Sequence, residues 1–443
     1  MINSQKIYSQ RDERRGASLL FWAGLFSMAR ISIGGSLAIT ELAFICATPF
    51  VVTREMTNFR RDGILPLISL LVLWLLGAIF ADIYNGINFI FSLKGIATPV
   101  VYLCNAICLY HLLRRNVKAT KWFVLGCALS YVLSTFVFQR ASTVNDELSL
   151  EEAIDKTVAY KLYWKGLMDH FILLPVRGWF ISTPYLYCIL SIGGLAAYAL
   201  HTGARSGFLA LVVSLVLVHF GKQSRTGGQF IRRHFIFIGV VLLGAMMGAK
   251  YLYQYSVTKG YLGEEEKRKY EMQTRGSSSA LHLIMAGRIE FFVGGYAASQ
   301  HPIVGRGSWA LDYDGLYLEF LNQYGAPEDF ARAVKFFENH PGAIRRIPAH
   351  SHIMTYWMWH GVFGFVFWAY VLAILIKALV KDLGAIPELY GYFSLGIPIF
   401  VWDIMFSPAG NRVPESAIII LCLLAQKFAN GRHFNNLPIG YFK

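Results

Sequence analysis

The sequence predicts an all-α polytopic integral membrane protein of about twelve transmembrane helices with one large hydrophilic loop. Three observations lead there. Of 443 residues, 55% are hydrophobic and only 15% are charged, and the mean hydropathy is +0.44, outside the range of soluble globular domains. Apolar runs of spanning or near-spanning length recur from residue 17 to residue 429. Finally, the net charge of +14 is carried by short segments between those runs. These are Arg11/Arg14/Arg15, Arg54/Arg60/Arg61, Arg114/Arg115/Lys118/Lys121, Lys222/Arg225/Arg232/Arg233, Lys377/Lys381 and Lys427/Arg432. Such a positive-inside pattern marks the segments as cytoplasmic and argues against nucleic acid as the partner of a basic chain.

In chain order, residues 1–16 are polar and basic and open directly into an apolar run, so no cleavable signal peptide is expected. Spans are expected at 17–32, 35–53, 64–84, 92–113 and 121–139, the first two crowded together. The stretch 140–178 is amphipathic, with Asp146, Glu147, Glu151, Glu152 and Asp155 leading. Further spans are expected at 183–203, 206–221 and 235–254, then at 352–378, 391–407 and 413–429. Eleven spans conflict in parity, because five bring the chain outside after residue 139 while Lys222 must return inside. A twelfth crossing near 158–177 resolves the conflict and leaves both termini cytoplasmic. That segment carries Lys161, Lys165, Asp169 and His170, with Arg177 at its end, so it must be shielded by other helices or line a wet cavity.

The chain thus divides into a bundle at 1–255, a loop at 256–349 and a closing bundle at 350–443. From Ser256 to Ala349 there are 11 Lys/Arg and 11 Asp/Glu, so the loop is neutral, and Arg275-Gly-Ser-Ser-Ser279 within it is expected to be mobile. The six cysteines all fall in apolar runs and read as small core residues rather than as disulfides or metal ligands. No P-loop, dinucleotide fingerprint or Cys-x-x-Cys is present, and no metal or cofactor is expected.

The expected topology brings three basic residues to the external face. Arg205, in Thr202-Gly-Ala-Arg-Ser-Gly207, opens a helix; Arg288, in Ala286-Gly-Arg-Ile289, lies in the loop; His350 lies at the loop's exit. A guanidinium matches two phosphate oxygens and stays charged, and a helix start favours an anion, so two such arginines suit a diphosphate. Each is equally readable as an interfacial arginine snorkelling to lipid phosphate. Imidazole titrates near neutrality, so His350 is a candidate base; a capping histidine at a helix start is the competing role. Ser351, His352 and His360 read as helix-start or helix-facing neighbours, and Gly361 and Gly364 as a small-residue packing face. Asp403 is a carboxylate inside an apolar run, with Arg412 its nearest partner in sequence, in a brace or in the site. Asp312, Asp314 and Glu319 could meet sugar hydroxyls but are more simply solvated acids of the loop.

His350-Ser351, nine residues, then Gly361-Val-Phe-Gly364 matches the His-[Asn/Ser/Gln]-x9-Gly-x-x-[Gly/Thr/Tyr] signature of bacterial O-antigen ligases. Together with Arg205, Arg288, the downstream His301-Pro-Ile-Val-Gly-Arg-Gly307 and the loop before the last three spans, the chain resembles that family in plan over most of its length. The resemblance implies a GT-C-like fold with a periplasmic loop, in the inner membrane of a Gram-negative bacterium. It implies an undecaprenyl-diphosphate-linked O-antigen donor, a lipid A-core acceptor and a metal-independent, inverting transfer. His350 would then be the base and Arg205 and Arg288 would hold the diphosphate, with Ser351, His352, Asp403 and Arg412 in support. O-antigen polymerases and protein O-oligosaccharyltransferases share the plan and differ in acceptor. A transporter of lipid-linked substrate is the alternative of another class; it predicts repeats and broken helices, and no repeat is visible in the sequence.

Overall fold

The computed structural model describes residues 15–32, 36–114, 116–136, 165–201, 205–223, 289–324, 327–339, 346–383, 386–407 and 415–429, with scattered positions between 251 and 270. These residues are almost entirely helical, as expected of an all-α membrane protein. Among the described residues, Leu65–Tyr84, Phe89–Leu113 and Pro387–Phe406 are long and apolar enough to cross a membrane, as is the stretch His352–Val380 by length and composition alone.

The first expected span is different. A helix over 15–25 (α1) is followed by two antiparallel strands, β1 (Arg30–Ser32) and β2 (Ser36–Ala38), with Arg30 opposite Ala38. Eleven residues rise only about 16 Å, too little for a hydrocarbon core of ~30 Å. The β-branched Ile31 within β1 disfavours a continuing helix there. α2 (Ile39–Arg61) begins where the Glu41 carboxylate accepts the free Ala38 N–H at 2.7 Å, and ends on Arg60 and Arg61, complementing the helix dipole.

α3 (Leu65–Tyr84) starts with Pro66, which lacks the N–H that a helix start leaves unpaired. α4 (Phe89–Leu113) is capped by the Asn88 side chain accepting from Ile90 N at 2.9 Å. The ends of α2 and α4 are tied together by ions. Arg114 donates to Glu55 and Asp62, both at 2.7 Å, His111 lies 2.8 Å from Glu55, and Tyr110 donates to Asp62 at 2.8 Å. Burial alone would raise the Asp62 carboxyl, but hydrogen bonds from Tyr110, Arg61 and Arg114 outweigh it and hold the group below its ordinary value. Two of the basic segments read from the sequence therefore share one end of the bundle.

α5 (Thr120–Phe136) packs against α1 through Gly24 and Gly126, each facing the other helix's backbone. Of the expected crossing at 158–177, the described part forms two short helices, α6 (Lys165–Phe171) and α7 (Leu174–Gly178). Neither has the length of a span; residues 140–164, and nearly all of the expected span at 235–254, lie outside the described residues. α8 (Tyr185–His201) and α9 (Arg205–Gln223) form a hairpin close to the expected bounds. In the loop, α10 (Ile289–Gln300), α11 (Leu316–Tyr324) and α12 (Pro327–Asn339) are helical. After α13 (His352–Lys377) come α14 (Tyr390–Phe406) and α15 (Glu415–Ala429). All six cysteines are free.

α13 is not the single span the apolar run 352–378 predicts. Gly361 has φ 61° and ψ −148°, which no helix allows. In a continuous helix His352 and Trp368 would stand about 24 Å apart. Their rings are instead 5.0 Å apart, and Tyr356 stacks on Trp368 at 5.8 Å with 11° between planes. The chain therefore reverses at Gly361, and the half-helix 352–360 lies folded against the half-helix 362–377. Helix ends in an apolar interior need partners for their free carbonyls and amides. The segment Ile303–Gly307 supplies them. Arg306 N donates to Met358 O at 2.7 Å, Gly307 N to Trp359 O at 2.9 Å, and Val362 N to Ile303 O at 3.1 Å. Gly305, at φ 84°, lets the clasp approach so closely that a Cβ there would stand 2.5 Å from Trp359 O. The two glycines read from sequence as a helix-packing face thus serve the reversal itself: Gly361 lies against the Ile303 carbonyl and Gly364 against that of Tyr356.

Candidate active site

The clasp is anchored by a buried chain of hydrogen bonds drawn from three distant segments. The Trp74 indole donates to His360 Nδ1 at 2.8 Å, His360 Nε2 lies 3.2 Å from Ser308 Oγ, and Ser308 donates to Asp82 from Oγ at 2.8 Å and from its amide at 2.6 Å. An indole N–H can only donate, so Nδ1 accepts, Nε2 carries the ring proton, and the Ser308 hydroxyl proton points to Asp82. Every link runs in one direction. Trp74, Ser308 and His360 are fully buried and Asp82 nearly so, which makes this a structural brace without access to substrate. Replacing Asp82 with Ala should orphan two buried donors of Ser308, each costing about 1–3 kcal/mol. Thermal unfolding in detergent should show a drop well beyond that of Ser308→Ala, which removes only the hydroxyl link.

The reversal sets where His350 and Ser351 stand. Because 352–360 folds back, its start lies about 14 Å along the helix from the turn at Gly361, level with the last turn of α14. Ser351 is fully buried and is the N-cap of α13: its Oγ accepts from Met354 N at 3.3 Å and donates to Ile404 O of α14 at 3.0 Å. His350 is fixed between that cap and α10, where Gly294 leaves room for Ala349 and Met354. The His350 side chain is 40% exposed, and its Nδ1 lies 3.8 Å from Glu290 Oε1. That separation suits an ion pair but is too long for a hydrogen bond, and the shielded Nδ1 makes none.

α10 begins beside this point. The Phe291 ring of α10 lies 5.7 Å from that of Phe406 at the end of α14, so the start of α10, next to Arg288, is here. α9 packs on α14, Tyr390 OH donating to Leu217 O at 2.7 Å. The last turn of α9 therefore meets the first turn of α14, Gly221 lying against the Tyr390 ring. The Arg205 side chain, Arg288 and Arg412 lie outside the described residues. Asp403 sits one turn from the end of α14 and accepts from Ser407 Oγ at 2.7 Å, a contact that finishes the helix; its expected pairing with Arg412 falls outside the described residues.

His352 is buried against Trp368, with no hydrogen bond at Nδ1, so it packs rather than faces the opening. Asp312 is committed locally, accepting from Leu316 N and Tyr317 N at the start of α11, and Asp314 lies 3.4 Å from Arg306. The residue that sequence reasoning missed is Glu290. Its signal was its place two residues after Arg288, in the first turn of the helix that Arg288 precedes. A scan of protein-family models finds no match to the chain, and a search of curated proteins finds no relative.

Proposed function

We propose that the chain is a membrane glycosyltransferase of the O-antigen ligase type. It transfers a glycan from undecaprenyl diphosphate to a sugar hydroxyl of lipid A-core, at the periplasmic face of a Gram-negative inner membrane. The observation that supports the reading is half-exposed His350 standing beside Glu290 in the first turn of α10, at the end of α14 to which Ser351 is tied. His350 takes the proton of the acceptor hydroxyl as its oxygen bonds to the anomeric carbon. The bond from that carbon to the diphosphate breaks on the opposite face, inverting the configuration, and the leaving diphosphate keeps the electron pair. Arg205 and Arg288 take up that growing negative charge, the kind of electrostatic stabilisation that contributes most to such transfers. An O-antigen polymerase or a protein O-oligosaccharyltransferase would use the same chemistry with another acceptor.

The break in α13 favours a second reading, since transporters of lipid-linked substrates bind at interrupted helices. Here, however, the carbonyls of Met358 and Trp359 at the break already accept from Arg306 N and Gly307 N, which leaves each at most one lone pair for a passing ion or substrate. One assay separates these readings. Membranes carrying the protein are given the lipid-linked donor with lipid A-core, a repeat-unit lipid or an acceptor protein in turn. The expected result is glycan on lipid A-core with release of undecaprenyl diphosphate. Transfer only to another acceptor reassigns the enzyme, and donor moved across vesicles without transfer to any acceptor replaces it with a transporter.

A further inference from the structure

We infer that Glu290 is the positioning residue of His350, holding the imidazole in the tautomer that leaves Nε2 free to take a proton; this rests on the transferase reading above. An imidazole serves as a base through one nitrogen only if the other carries the hydrogen, and a carboxylate accepting that hydrogen fixes both tautomer and ring plane. His350 Nδ1 is shielded, makes no hydrogen bond, and has the Glu290 carboxylate 3.8 Å away. Buried polar atoms without partners are rare. Catalytic hydrogen bonds are also often long before substrate binds, so closing this gap by about 1 Å is the ordinary tightening of such a pair.

The backbone favours that closure. Ser351 anchors the His350 side through Met354 N and Ile404 O, while Glu290 lies in the first turn of α10, whose next turns pack on Ala349 and Met354. Glu290 is therefore held on a helix and His350 directly before a helix cap, and neither side chain is buried: exposures are 40% for His350 and 28% for Glu290, leaving rotamers free to move. In the reaction the proton of the acceptor hydroxyl passes to Nε2, Nδ1–H stays bonded to Glu290, and Glu290 remains a carboxylate throughout. The glycosyl carbon–oxygen bond to diphosphate breaks as the new one forms, so no oxidant or further reactant is needed.

The test compares wild type with Glu290→Gln, Glu290→Asp and His350→Ala in membranes, using undecaprenyl-diphosphate-linked glycan and lipid A-core, with detergent melting temperatures as the folding control. Glu290→Gln should lower kcat on the order of tenfold to a hundredfold, less than loss of the base itself at ~10²–10⁴-fold, with KM for both substrates unchanged. Glu290→Asp should recover part of that loss. A kcat for Glu290→Gln equal to wild type while His350→Ala is inactive overturns this inference alone. A fall in kcat for Glu290→Gln with no recovery in Glu290→Asp, or a raised KM, overturns it too and makes Glu290 a substrate contact. Full activity in His350→Ala sinks the transferase reading and this inference with it.

Discussion

His350→Ala should abolish glycan transfer in membranes to within about 10²–10⁴-fold of wild type, the range in which a positioned base acts. The expectation is sharp because this histidine has little structural duty. Its side chain is 40% exposed, its Nδ1 makes no hydrogen bond, and the cap of α13 is built by its neighbour Ser351. Truncating it should leave expression and melting temperature near those of wild type, as surface substitutions generally do within about 0.5 kcal/mol. Ser351→Ala is the contrasting variant. It removes a cap worth ~1 kcal/mol and the tie to α14, so it should cost stability first and activity second. Donor consumption and labelled lipid A-core, normalised to protein in the membrane, give both readings. Undiminished transfer at normal expression would remove His350 from the mechanism.

Gly361→Val should be strongly destabilising, with a loss of at least about 3 kcal/mol. Two costs add. A β-branched residue at φ 61° and ψ −148° is held in strained backbone at of order 1–3 kcal/mol, and a Cβ there would stand 2.0 Å from the Ile303 carbonyl oxygen. That neighbour is backbone and is bonded to Val362 N, so it cannot withdraw without breaking the clasp. Gly193→Val in α8 is the control, since a Cβ at Gly193 meets nothing within 4 Å. Detergent melting curves should separate the two variants by several degrees or more; equal melting temperatures would mean that α13 does not turn at Gly361.

What was legible in the sequence follows from what hydropathy records. α3, α4, α9 and α14 fall close to their expected bounds because each is one apolar run ended by polar residues. Hydropathy carries no direction, however, and the apolar run at 352–378 reads identically whether it crosses once or turns back. The reversal depends on a glycine conformation and on a partner segment some fifty residues earlier, neither of which a window of hydropathy can see. The buried chain from Trp74 to Asp82 was hidden for the same reason: Ser308 lies 226 residues from Asp82 and 52 from His360. That His360 faces another helix was readable, because a histidine in an apolar run must find a partner. For the candidate site, His350 was legible from its motif, while Glu290 carried only a weak signal, its place two residues after Arg288, among the many other acids of a neutral loop.

The clasp also constrains the order in which this protein can be made. Neither the carbonyls of Met358 and Trp359 nor the amide of Val362 can enter lipid unpartnered, and their partners lie at 303–307, held in turn by Asn85, at the end of α3, on Gly305 and by Asp82 of α3 on the adjoining Ser308. Synthesis delivers those pieces in the right sequence, α3 first and the 301–308 segment well before residue 352. The half-helix hairpin therefore inserts into a receptor that the ribosome has already completed. A chain cut between residue 308 and residue 352 and supplied as two fragments would have to rebuild that receptor after insertion, against lipid that has already filled the space.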